Sequence, residues 1–233
     1  MAQIPLPLVL GKHSRFETFV EGGNRAAIEH LHAIGSGRVS DVVWIWGPAS
    51  SGKSHLLQAM CAHVTWPRVM YLPLREAQVA GSDSLRGLET LDILALDDVD
   101  MVSGNAAWDQ ALFGLYNQLY ANHGCLVMTG RQAPAGTMFS LPDLASRASG
   151  AVVYQLRPLD EKQSLEALQR HATSRGLDLP DPAARYLLAR VSRDMGAICR
   201  WLDELDTAAL IAKRRVTIPF ISQALAARSG SDS

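Results

Sequence analysis

The residues best suited to chemistry are Gly47-Pro48-Ala49-Ser50-Ser51-Gly52-Lys53-Ser54. They fill every fixed position of G-x-x-x-x-G-K-[ST], the phosphate-binding loop. In such a loop, successive backbone N–H groups and a helix N-terminus surround phosphate oxygens. Lys53 neutralises charge on the outer phosphates, Ser54 can ligate Mg²⁺, and His55 follows as the next residue on the helix. The ligand is therefore a nucleoside di- or triphosphate.

A loop of this kind needs a carboxylate at the end of a neighbouring strand to hold the magnesium and its waters. The run Leu91-Asp92-Ile93-Leu94-Ala95-Leu96-Asp97-Asp98 supplies two. Asp97 is the candidate for the metal shell, reached through water, and Asp98 for polarising an attacking water; the competing reading is a turn or helix cap. Asp98 is one methylene shorter than glutamate, which is consistent with slow intrinsic hydrolysis. Thr129 ends another apolar run and could orient a water or the outer phosphate, or else satisfy backbone groups at a strand end.

These groups must be positioned by a sheet. Short apolar runs at 42–46, 68–72, 93–96, 125–129 and 152–156 alternate with helix candidates at 53–63, 107–121 and 141–146. That is the pattern of a parallel five-stranded sheet with crossover helices. Val42-Val43-Trp44-Ile45-Trp46 has no polar face, so the strands are expected to be buried on both sides. After Pro158 the strand signal disappears. Asp160 with Gln163 reads as a capping box opening a helix that ends near Gly176. A second helix follows Pro180-Asp181-Pro182, a third runs over 195–213, and a fourth opens near Thr217 with Pro219 in its first turn. The expected organisation is an extended peptide over 1–10, an α/β core over 11–157, an all-helical lid over 158–228 and a disordered tail over 229–233.

Composition narrows the partners. The 233 residues are 48% hydrophobic and 19% charged, with a net charge of −1, so there is no global basic field for a nucleic-acid backbone. Cys61, Cys125 and Cys199 lack metal or redox spacing and read as reduced core residues. No run approaches the 18 apolar residues of a membrane span, and the first ten lack a basic signal-peptide start, so the expected location is cytoplasmic. His30 with His32, and His55 with His63, have no ligand-pair spacing. Lys213-Arg214-Arg215 reads as a solvated helix end rather than a DNA contact.

The loop, the paired aspartates, the strand ending in Thr129 and the helical lid together resemble the AAA+ ATPases. Leu141-Pro142-Asp143-Leu144-Ala145-Ser146-Arg147 is similar to the box of the bacterial replication initiator DnaA whose arginine reaches a neighbouring subunit's nucleotide. Val191-Ser192-Arg193-Asp194-Met195-Gly196-Ala197 is similar to the lid motif whose arginine senses phosphates in that family, with Arg200 as a second choice. Arg15-Phe16-Glu17-Thr18-Phe19-Val20-Glu21-Gly22 resembles the segment that helps form the base pocket, which assigns Phe19 and Val20 to nucleotide binding. The resemblance covers residues 1 to 228.

Gln3-Ile4-Pro5-Leu6-Pro7-Leu8 is similar to the short peptides with which replication proteins dock on the sliding clamp. Pro5 and Pro7 bias Ile4 and Leu6 toward extended geometry, so little ordering entropy would be lost on docking. Gln3 would hydrogen-bond at a groove edge while Leu6 and Leu8 fill an apolar pocket; the other reading is an apolar tail packed on its own core. DnaA continues from its lid into a DNA-binding domain, whereas this sequence stops near Arg228.

The resemblance thus implies a regulator that holds ADP or ATP with Mg²⁺ and docks on the DNA polymerase III beta sliding clamp. It would meet DNA only indirectly and present Arg147 in trans to ATP held by DnaA, with self-association possible. Arg147 in an ordinary surface salt bridge is the alternative. Two other classes stay open: a self-contained AAA+ ATPase such as a helicase loader or motor, marked by rapid hydrolysis on its own, and a P-loop small-molecule kinase, which needs an arginine-rich lid within the core.

Overall fold

The computed structural model describes residues 13–64, 68–191, 195–212 and 216–229. Gln3, Leu6, Leu8 and Arg193 lie outside them, as does the Lys213-Arg214-Arg215 run. The chain divides into two compact units. The first contains the start of the chain through Phe16 and Gly23–Pro158; the second contains Glu17–Gly22 and Leu159–Ser233.

In the first unit, helix α1 (Arg25–Gly35) precedes strand β1 (Val42–Trp46), helix α2 (Lys53–His63) and strand β2 (Val69–Pro73). A short helix α3 (Leu74–Ala77) leads by three 3-10 turns to strand β3 (Ile93–Asp97). Helix α4 (Ala106–Ala121), strand β4 (Cys125–Gly130), helix α5 (Pro142–Ser149) and strand β5 (Val152–Gln155) complete the unit. All pairings are parallel, in the order β2-β3-β4-β1-β5. The five strand candidates are all present, displaced at their ends by one residue at most. Helix α5 is longer than its candidate at the C-terminal end.

Strand order dictates the layering. The chain crosses from β1 to β2 in one direction along the sheet and from β3 to β4 to β5 in the other. Right-handed crossovers then place α2 on one face and α4 with α5 on the opposite face. The burial agrees. Leu112, Leu115 and Tyr116 of α4 and Leu144 and Ala148 of α5 share a core with Trp44, Leu94 and Leu96 of the sheet. Leu31 and Ile34 of α1 and Leu56, Leu57 and Met60 of α2 are buried as well. Each such side chain contributes about 1.5–3 kcal/mol on leaving water.

Strands β1, β3 and β4 are buried in the manner that their uninterrupted apolar runs predict. Strand β5 departs from that expectation, with Val152 and Val153 about two-fifths exposed. It is one of the two edge strands, paired with β1 alone. The other edge strand, β2, keeps Tyr71 and Leu72 buried, so composition and edge position do not by themselves set the burial of β5.

The second unit is helical: α6 (Glu161–Thr173), α7 (Asp181–Leu188), α8 (Met195–Ala212) and α9 (Ile218–Ser229). Asp160 accepts the Gln163 N–H and the Gln163 side chain accepts the Asp160 N–H, the full capping box. Leu168, Leu187, Ile198, Leu202 and Ile221 form the core. The side chain of Arg175, only 3% exposed, donates to Asp203 at 2.7 Å and to the His171 carbonyl at 2.9 Å. Arg170 ties in the preceding segment by donating to the Phe19 carbonyl at 2.9 Å.

Candidate nucleotide site

The phosphate loop runs from the carboxyl end of β1 into α2. Gly47 has no room for a side chain: a Cβ there would stand 2.7 Å from the Leu156 carbonyl. Gly52 caps α2 at φ 93°, a left-handed conformation that costs glycine nothing. Ser50 is also left-handed, at φ 63°. Helix α2 has no side-chain N-cap, so the amides of its first turn are available to an anion. Ser51 Oγ is buried with no hydrogen-bond partner among the described residues, which gives the loop a further polar group.

Lys53 is 7% exposed, and its Nζ donates to the Gly47 and Pro48 carbonyls, both at 2.9 Å. The lysine therefore braces the loop from within. Burial pulls its ammonium below the ordinary lysine value, and Asp98, Asp97 and Asp100 act in the opposite direction. Such a cation gains from a phosphate, because an anion offsets the desolvation that the fold imposes. Ser54 is exposed on the first turn of α2.

Because β3, β4 and β1 are neighbours in the sheet, Asp97, Thr129 and the phosphate loop all come to one carboxyl edge. Asp97, 3% exposed, accepts from Thr129 Oγ1 at 2.5 Å on one oxygen and from the Tyr71 hydroxyl at 2.8 Å on the other. Burial, and then Asp97, push the Tyr71 phenol well above the usual tyrosine range, so it remains a donor. Thr129, fully buried, also accepts the Asp98 N–H at 2.9 Å.

Asp98 is left-handed at φ 57° and pairs with Arg75, whose Nη2 lies 3.3 Å from Oδ2. Burial raises the Asp98 carboxyl above the ordinary aspartate range, Asp97 adds to the rise, and Arg75 opposes it. Close by, Arg131 lies 3.5 Å from Asp100. The Ser54 hydroxyl and the Asp97 carboxylate are hard oxygen donors of the kind Mg²⁺ takes. Both Asp97 oxygens already accept a hydrogen bond, which fits contact through water.

The other predicted residues fall into three groups. His55 is engaged within the first unit, its Nε2 donating to the Arg15 carbonyl at 2.9 Å, and burial lowers its pKa. Phe19 and Val20 are buried within the helical unit. Arg147 is exposed on α5, with its guanidinium 5.9 Å from the centre of the Tyr116 ring, and it makes no ion pair among the described residues. Arg200 is exposed on α8.

Tyr71, Arg75 and Tyr116 escape sequence reasoning, since no local spacing marks them. His32 and His63 escape it too. They come from α1 and α2, with ring centroids 4.2 Å apart, and Phe16 lies against both. Cys61 and Cys125 are buried free thiols, as the core reading expects, whereas Cys199 is free but only partly buried and lies outside the core. Among the described residues, no helix is long and apolar enough to cross a membrane.

A parallel five-stranded sheet in this order, with a phosphate-loop motif after β1, paired aspartates after β3 and a helical lid, defines a protein of the AAA+ fold. Residues 10–153 match the bacterial DnaA ATPase domain, and the chain belongs to that family. Residues 160–225 match the Hda lid domain, a pairing consistent with Hda, a DnaA-related AAA+ protein.

Solved structures agree on the fold. Domain III of the replication initiation protein DnaA from Thermotoga maritima superposes with a TM-score of 0.75 at 22% identity, over 93% of this chain and 97% of that one. AMPPCP-bound DnaA from Aquifex aeolicus gives 0.66 at 26% identity, over 81% of this chain and 63% of that longer one. The RuvB Holliday junction branch migration motor of Thermotoga maritima gives 0.62 at 16% identity, over 93% and 73%.

Proposed function

We propose that this protein is a nucleotide-bound regulator of replication initiation that stimulates hydrolysis of ATP held by DnaA, presenting Arg147 in trans. The observation that carries the reading is Arg147 itself. It is an exposed guanidinium on a helix anchored in the core, with no carboxylate partner among the described residues. A DnaA-family core joined to an Hda-type lid supplies the context and makes DnaA the natural target.

The chain's own phosphate loop holds ADP or ATP: the amides opening α2 and Lys53 bind the phosphates, and Ser54 with Asp97 would hold Mg²⁺. The metal, when bound, neutralises charge on the outer phosphates. Asp98 is paired with Arg75, so a water beside it meets a carboxylate already engaged by a cation. That arrangement favours a regulatory nucleotide over rapid turnover. In the partner's site, Arg147 stabilises charge that grows on the transferring phosphate, an effect worth about 10³ to 10⁵ in rate in GTPases. Arg193 of the lid is assigned to sensing the chain's own nucleotide. Gln3, Leu6 and Leu8 dock the protein on the DNA polymerase III beta sliding clamp, which links it to DNA indirectly and places it in the cytoplasm.

One reaction series tests this: ATP-loaded DnaA, clamp loaded on DNA and this protein, with released phosphate measured. Acceleration by the wild type and none by Arg147→Ala is the expected result. Equal acceleration by Arg147→Ala, or none by the wild type, overturns it. Loss of clamp binding in Gln3→Ala with Leu6→Ala, at unchanged nucleotide affinity, tests docking separately.

A further inference from the structure

Helix α4 fixes the arginine-bearing segment at two points. At its first turn, Asp109 is completely buried and collects four hydrogen bonds. It accepts from Ser140 N at 2.5 Å, from Ser140 Oγ at 2.7 Å, and on both oxygens from Gly104 N at 3.3 Å. Ser140 stands immediately before the Leu141–Arg147 box, so the carboxylate pins the entry to α5. Two turns further along α4, Tyr116, only 6% exposed, turns its ring to the Arg147 guanidinium at 5.9 Å. Tyr120 stacks on Tyr116 with centroids 6.4 Å apart and planes 13° apart, and is 64% exposed.

Arg147 follows Leu144 by three residues and precedes Ala148, and both of those neighbours are buried in the core shared with Tyr116. The helix backbone is therefore anchored while the long side chain is not. A free arginine side chain samples many rotamers, and ordering it at the moment of reaction costs free energy. A ring face that attracts the cation narrows that choice beforehand, without neutralising the charge as a carboxylate would.

We infer that Tyr116 is a positioning residue for the trans-acting arginine, holding Arg147 over an aromatic shelf on an α4 mount that Asp109 locks through Ser140. The inference rests on the trans-acting reading of Arg147. It adds that the guanidinium is pre-oriented before a partner's triphosphate arrives, so that loss of the ring lowers the maximal rate of stimulation rather than the affinity for the partner.

The test measures phosphate release from ATP-loaded DnaA, with clamp on DNA, against increasing concentrations of Tyr116→Leu, Tyr116→Phe, Arg147→Ala and wild type. Tyr116→Leu should lower the maximal rate about 2- to 5-fold, the range of a cation–π contact at an exposed site, at unchanged half-saturating concentration. Tyr116→Phe keeps the ring face and should match wild type. A maximal rate unchanged in Tyr116→Leu, or lowered as much by phenylalanine as by leucine, overturns the positioning role. If Arg147→Ala stimulates like wild type, the trans-acting reading itself fails and the inference falls with it. Should Tyr116→Leu not fold, the ring resonances of Tyr116 in tyrosine-labelled protein decide the contact. They should shift in Arg147→Ala, and unshifted resonances overturn the inference.

Discussion

Thr129 and Asp97 are joined by a 2.5 Å hydrogen bond, and the same threonine hydroxyl accepts the Asp98 N–H at 2.9 Å. One buried side chain thus sets both aspartates beside the phosphate loop. Thr129→Val keeps the shape but leaves a buried carboxylate oxygen and a backbone N–H each without a partner. The expected cost is about 2–3 kcal/mol, and a melting temperature lower by about 4–10 °C, read by calorimetry, is the result that checks it.

Lys53 is a buried cation that the fold braces against the Gly47 and Pro48 carbonyls, and the proposed nucleotide site assigns it to the phosphates. Its lowered pKa means that the folded chain binds fewer protons than the unfolded chain between the folded value and the ordinary lysine value. Its charge therefore costs stability at neutral pH, a cost relieved as pH rises through that window. Lys53→Ala should weaken ADP and ATP binding about 100-fold, the equivalent of about 3 kcal/mol for a charge-assisted contact. In a thermal-shift titration, the wild type should gain stability with nucleotide while the variant shows no gain at the same concentration.

Asp98 carries the opposite linkage. Its folded pKa is raised, so its ionisation is harder in the native state. The stability cost is absent below the ordinary aspartate range and grows as pH rises through the folded value. Asp98→Asn removes that charge, and asparagine accepts the left-handed backbone at this position. The variant should melt above the wild type at pH 7.5, and the gap should close toward pH 4. A gap that widens on acidification contradicts the assignment.

Cys61 is buried, and burial pushes its thiol up to about 12. At pH 8 the native protein should leave Cys61 unmodified by a thiol reagent, and all three cysteines should react once the chain is denatured. The unfolded thiol ionises first, so this group lowers stability as pH rises above about 9. Peptide mapping after timed alkylation distinguishes Cys61 from the other two thiols.

Much of the molecule is legible from short stretches of chain. The phosphate loop is eight consecutive residues between a strand and a helix, and Gly52 answers to local geometry as a left-handed cap, whereas the close approach of the Leu156 carbonyl that Gly47 allows comes from the pairing of β1 with β5. The lid is equally local, because capping boxes and prolines in first turns act within four residues of themselves. The helix that carries Arg147 is visible for the same reason.

What surrounds those pieces is not visible in the same way. Tyr71 reaches Asp97 across 26 residues, Arg75 reaches Asp98 across 23, and Thr129 reaches Asp97 across 32. Each meeting follows from β2 pairing with β3 and β3 with β4 in a fixed register. The same holds for Tyr116 beneath Arg147, which needs α4 and α5 on one face of the sheet. A phosphate-loop motif and an α/β core followed by helices are legible in the sequence, because those signals are read within one element. It takes the tertiary structure to show that each Asp97 oxygen accepts from a hydroxyl, that Asp98 is paired with an arginine and that Arg147 rests on a ring. Those facts depend on strand order and non-local packing, which no periodicity along the chain encodes.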